Sequence, residues 1–133
     1  MTQLKAATPA VPFTYVLPQQ RDLPQEQQTK FECHTLSGRH RLVIHGKFTR
    51  GMTASNLDKW EPDGQTLCEV ALEAFLVGFI KWHGAPIVDD EGHPRECPAT
   101  AESALDFLDP DIAQVIGLEI WVRSKMRAGE KKV

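Results

Sequence analysis

Three cysteines and five histidines are the side chains that could hold a transition metal: Cys33, His34, His40, His45, Cys68, His83, His93 and Cys97. Zinc sites read in sequence as close cysteine pairs combined with close histidine pairs. No Cys-x-x-Cys occurs here, and no pair of histidines is matched by a pair of cysteines. Asp89, Asp90 and Glu91 lack the second acidic cluster that a calcium loop places in register, so they read as a solvated turn. Ser37 and Ser103 lack the Gly-x-Ser-x-Gly elbow that exposes a nucleophile. Gly46 and Gly51 are isolated, with no Gly-Lys-Ser/Thr to cradle a phosphate. The basic cluster of Arg39, His40, Arg41, Lys47 and Arg50 sits in a chain with 15 Lys+Arg against 18 Asp+Glu. It reads as a wet helix face rather than a nucleic-acid site. The expectation is a non-enzymatic protein with no metal, no cofactor and no nucleic-acid partner.

The chain of 133 residues suits one domain, and 41% apolar residues suffice for a core. An odd number of scattered cysteines argues for free thiols in a reducing compartment. The longest apolar stretch, Val70 to Trp82, carries Glu73 and Lys81 and is too short to span a bilayer. No signal-peptide run opens the sequence. A soluble, intracellular protein is expected.

The predicted fold is α+β, a mostly helical small domain with a short N-terminal β-hairpin and three to four helices. Residues 1–28 are rich in Pro and Gln and should be extended or disordered around a strand at Phe13–Leu17. A second strand, Thr29–His34, pairs with it across a turn at Asp22–Glu26. Residues 37–48 admit a helix capped by Ser37 or a strand favoured by Val43-Ile44, and the helix is adopted. Residues 49–64 form a polar loop. A helix is predicted from Thr66 to about Trp82, with Thr66 and Glu69 spaced as a capping box. His83-Gly84-Ala85-Pro86 ends it. A short hairpin then joins Ile87-Val88 to Pro94–Cys97 through Asp89-Asp90-Glu91-Gly92. A short helix spans Ala101–Phe107 with Thr100 as its cap. The last helix runs from Asp111 to about Arg127, with Asp109 as cap and Pro110 in the first turn. Residues 1–12 are assigned to a flexible arm, 13–127 to the domain and 128–133 to a flexible tail.

On a helical wheel, Leu67, Ala71, Phe75, Gly78 and Trp82 share one face of the predicted 66–82 helix. Phe79, Leu76 and Ile80 carry apolar surface round to the far side. On the last helix Ile112, Val115, Ile116, Ile120, Val122 and Met126 make a wide stripe, with Trp121 roughly opposite. A helix apolar all round must be covered on every side. The surplus is either a buried spine or a surface for a partner.

Several segments resemble small proteins encoded in tail-morphogenesis clusters of long-tailed bacteriophages and prophages. They are Tyr15-Val16-Leu17-Pro18, Arg21-Asp22-Leu23-Pro24, Gln27 to Phe31 and Thr35 to Arg39. In the second half they are Phe75-Leu76-Val77-Gly78 with Trp82, Asp89 to Pro94, Ala104 to Leu108, and Ala113, Ile116 and Ile120. The likeness covers about residues 13–127 and rests on the order of the segments. It departs at Phe79-Ile80-Lys81, which intervenes before Trp82, and at the His-rich stretch His40 to His45. The resemblance, to phage tail assembly chaperones, implies a protein that binds the long, apolar, helical tape measure protein. Such a chaperone keeps its client soluble while tail tube subunits polymerise, acts in the host cytoplasm and is absent from the mature virion. The tail tube protein and a second copy of the chain are further expected partners, and no membrane is. The expected client lining is Phe75, Leu76, Phe79, Ile80 and Trp82, with Ile116, Ile120 and Trp121. The alternative is a structural head–tail or tail component acting through self-association.

Overall fold

The computed structural model describes residues 10–49 and 64–125. Two strands open it, β1 (Pro12–Tyr15) and β2 (Thr29–His34), followed by helices α1 (Gly38–Thr49) and α2 (Gly64–Gly78). Strand β3 (Phe79–Gly84) follows α2 without a loop. A small hairpin, β4 (Ile87–Val88) and β5 (Pro94–Arg95), leads to a one-turn helix α3 (Ala101–Ala104) and to α4 (Pro110–Lys125). The domain is α+β and mostly helical, as the residue pattern predicts. Among the described residues no helix is long and apolar enough to cross a membrane. The tail at 128–133 and most of the loop at 49–64 lie outside the described residues.

The principal sheet has three strands, in the order β1-β2-β3, rather than the two of a lone hairpin. Both pairs are antiparallel, with Tyr15 opposite Phe31 and Phe31 opposite Trp82. This corrects the reading of 66–82 as one helix. The helix stops at Gly78, four residues early, and Phe79 to Gly84 pair with β2. The backbone of 79–84 thus satisfies its polar groups in a ladder instead of a further helical turn. Gly78 marks the change because the site has no room: a Cβ there would lie 2.7 Å from the His34 carbonyl oxygen and from the Ile120 side chain. The start is corrected as well. Helix α2 begins at Gly64, so Thr66 lies within its first turn and not at the position before it.

The register shifts between Glu32 and Cys33, whose partners are Lys81 and Phe79. Ile80 is therefore the extra residue of a bulge. The bulge lets Phe79 and Trp82, three apart, both point inward while Ile80 and Lys81 point out. Phe79 stacks on Phe75 with ring centroids 4.7 Å apart, and tilts against Phe31 at 6.5 Å and Trp82 at 6.2 Å. Phe31, Cys33, Leu36, Ile44, Val70, Phe75, Ile116 and Ile120 are the largest fully buried side chains of the core. Helices α2 and α4 meet where Gly117 lies against the Ala71 carbonyl, a place with no room for a Cβ. The Ser124 hydroxyl ties α4 to the β2–α1 junction, accepting from the Leu36 amide at 2.8 Å and donating to the Ile120 carbonyl at 2.5 Å.

The Pro/Gln-rich opening is more ordered than its composition suggests. Residues 18–20 and 25–27 form two 3₁₀ turns. The Gln28 side-chain amide donates to the carbonyls of Gln20, Arg21 and Leu23 at 3.1–3.3 Å, and Gln20 Oε1 accepts from the Thr29 amide at 2.8 Å. The buried Gln28 and the half-buried Gln20 thus supply the hydrogen bonds that a regular element would have provided. The flexible arm is likewise corrected at its end. The Val11 amide donates to Thr35 Oγ1 at 2.8 Å, the Val11 carbonyl accepts from the Thr35 amide at 2.9 Å, and Pro12 opens β1. Residues 1–9 lie outside the described residues.

Candidate functional site

Two capped helix starts shape an apolar groove between α2, α3 and α4. Thr100 Oγ1 accepts from the Ser103 amide at 3.1 Å and starts α3. The chain then tightens through three-residue turns, the amides of Asp106 and Phe107 reaching the carbonyls of Ser103 and Ala104 at 3.1 Å. Asp109 Oδ1 accepts from the Asp111 amide at 2.8 Å, and Pro110 occupies the first position of α4, where it has no amide to leave unpaired. Both caps lie where the sequence places them. Together they hold Leu105 and Leu108 above α2 and turn α4 back along it.

The result is a groove of about 310 Å³. Cys68, Ala71, Leu72 and Phe75 of α2 form one wall. Leu105 and Leu108 close an end, and Pro110, Ala113 and Gln114 form the other wall. Gln114 is the one amide among these linings. Leu72, 48% exposed, stands at the mouth, and Leu76 extends the same row one turn further. Such a groove can seat an apolar side chain or a helix ridge. It carries no nucleophile–base pair.

The eight residues of the expected lining do not form one surface. Phe75, Ile116 and Ile120 are fully buried, and Phe79, Trp82 and Trp121 nearly so. Leu76, 37% exposed, and Ile80, 45% exposed, reach the surface. Only Phe75 belongs to the groove, as part of its lining. Phe79 and Trp82 turn inward because 79–84 is a bulged strand. The wheel of α4 is rotated from the expectation: its buried arc runs through Ala113, Ile116, Gly117, Ile120, Trp121 and Ser124, and its outer strip carries Val115 and Val122. The groove residues absent from the expected lining are Cys68, Ala71, Leu72, Leu105, Leu108, Pro110, Ala113 and Gln114. The available signal is Leu105-x-x-Leu108 directly before the Asp109-Pro110 cap, with Leu72 four residues before Leu76.

The groove's surroundings are acidic. Residues 64–78 and 98–122 contain no lysine or arginine, yet they carry Glu69, Glu73, Glu102, Asp106, Asp109, Asp111 and Glu119, the last paired with Arg123. Arg95, over the Phe107 ring at 5.5 Å, is paired with Asp89 at 3.3 Å.

Two other polar clusters are structural ties. His83 Nε2 lies 2.5 Å from Glu32 Oε2, and Thr14 Oγ1 donates to Glu32 Oε1 at 2.8 Å, so one carboxylate links all three strands on the outer face. The hydrogen bond with His83 holds the Glu32 carboxyl below the usual glutamate value. In the β4–β5 turn, Asp89 Oδ1 accepts from the amides of Glu91 and His93 at 2.9 Å, and Gly92 takes φ +82°. Those bonds, His93 foremost, lower the Asp89 pKa. Among the described residues no three side chains of ligand type converge to hold a metal ion. No family model, no curated protein and no solved structure matches this chain.

Proposed function

We propose that the chain is a phage tail assembly chaperone, a non-enzymatic protein that holds the apolar helical tape measure protein in solution while the tail tube assembles. It acts in the host cytoplasm and leaves before the virion is complete. The observation that carries this reading is the α2–α3–α4 groove, an apolar channel with Leu72 in its wall and the exposed Leu76 one turn beyond it on α2. A helix-in-groove client needs such a channel and no reactive side chain. The ordered series of segments resembling tail assembly chaperones points the same way.

The test is co-expression with the tape measure protein of the same gene cluster, followed by co-purification. The expected result is a soluble complex that Leu72→Glu and Leu76→Glu abolish while their circular dichroism stays that of the parent. Variants that remain folded and still retain the client would overturn the assignment of the groove. A tape measure protein that stays insoluble beside abundant parent chain would overturn the function.

The second reading, a structural tail component acting through self-association, has one observation in its favour. Helix α1 leaves Leu42 and Val43 uncovered.

A further inference from the structure

Among the described side chains of helix α1, Ile44 is the one that is buried, and it is fully so. Its outer face carries Arg39, Leu42, Val43 and Gly46. Leu42 is 72% exposed, the highest value among the described large apolar side chains, and Val43 is 47% exposed. Around them stand Arg39, His40 and Arg41, and the chain has no carboxylate from Gly38 to Leu57. Arg39 and Arg41 have no ion pair among the described residues. At Gly46, one turn beyond Leu42, an added Cβ would meet nothing among the described residues within 4 Å. The helix offers an apolar ridge with basic flanks and a point of close approach.

The groove is its complement: an apolar channel in segments that hold seven carboxylates and no cation. A helix anchored through Ile44 turns its ridge away from the described core, where a second copy could meet it. We propose that α1 of one copy docks in the α2–α3–α4 groove of a second copy, with Leu42 beside Leu72 and Arg39 and Arg41 facing the acidic rim. The interface is heterologous, each copy offering one ridge and one groove, and so builds a ring or an open row. Opposite charges set its orientation and make it sensitive to salt. The proposal goes beyond the client reading and does not need it.

Sedimentation velocity on the full chain alone is the test. Association that grows with concentration and weakens in high salt is expected. Leu42→Glu and Leu72→Glu should each weaken it by about tenfold or more, with folding checked by circular dichroism. Should Leu72→Glu fail to fold, the exposed Asp106→Lys takes its place. Mixing is the decisive step. The Leu42→Glu variant keeps an intact groove and the groove variant keeps an intact ridge, so the two should form a one-to-one heterodimer that grows no further. A chain that stays monomeric at every concentration overturns the proposal. So does association indifferent to both substitutions, or variants that fail to complement on mixing, because that marks a two-fold interface. A client pull-down by the Leu42→Glu variant separates this proposal from the chaperone reading, since that variant loses self-association and keeps its groove.

Discussion

Glu32 shows at the scale of one side chain how the sheet is tied. Its carboxylate joins β1 through Thr14 and β3 through His83. A carboxyl held below its ordinary pKa stabilises the fold above the unfolded value and loses that contribution as pH falls through the folded value. Glu32→Gln is therefore expected to cost about 0.2–1 kcal/mol at neutral pH, the range of a partly exposed pair, and almost nothing in strong acid. Denaturant midpoints of parent and variant at several pH values check this, and a gap that stays constant in acid would remove the ionic account. Burial decides a second contrast. Phe79→Glu and Trp121→Glu place an unpaired carboxylate in the core at a cost of several kcal/mol and should unfold the chain. Leu76→Glu, at a position more than a third exposed, should melt near the parent. Circular dichroism melts of the three variants are the measurement.

Two glycines make opposite predictions at the scale of the helices. Gly117 lies against the Ala71 carbonyl where α2 and α4 cross, so Gly117→Ala must push them apart, at about 1–3 kcal/mol. Gly46 sits mid-helix, where an added Cβ would meet nothing among the described residues within 4 Å, so Gly46→Ala should stabilise by about 0.5–1 kcal/mol through the unfolded state. Chemical denaturation of each resolves the sign. The elements legible in the sequence are those written in local chemistry. The Thr100 and Asp109-Pro110 caps, the Asp-Asp-Glu-Gly turn and the β1–β2 pair depend on neighbours a few residues away or on plain alternation. Residues 79–84 were illegible because their partner, β2, lies some fifty positions upstream, and because a bulge replaces the period of two with inward residues three apart. A wheel drawn through Trp82 therefore gathers Phe79, Ile80 and Trp82 onto a helix that has already ended. The candidate site inherits the error. Of its α2 residues Phe75 is legible on the wheel, but the Leu105–Pro110 wall comes from a segment too short to show periodicity.

For the whole molecule, the arrangement of layers fixes what remains at the surface. One sheet face, α2 and α4 share the core, α1 is pinned by Ile44 and α3 with its turns roofs the groove. Apolar side chains at Leu42, Leu72, Leu76, Val115 and Val122 are left outside it. The three thiols sample these layers in turn. Cys68 is exposed in the groove, Cys97 is half-buried and accepts from the Trp82 amide at 3.3 Å, and Cys33 is buried in β2. Burial also pushes the Cys33 thiol up to about 12, so it carries almost no reactive thiolate. The chain therefore holds three clocks for its own opening. Alkylation timed by mass spectrometry should mark Cys68 at once, Cys97 when the segment after β5 lifts from β3, and Cys33 only on global unfolding. Simultaneous labelling of all three would mean that the layers open as one. Ordered labelling would give the free energy of each opening separately, and protection of Cys68 that rises with protein concentration would time the residence of a neighbour in the groove.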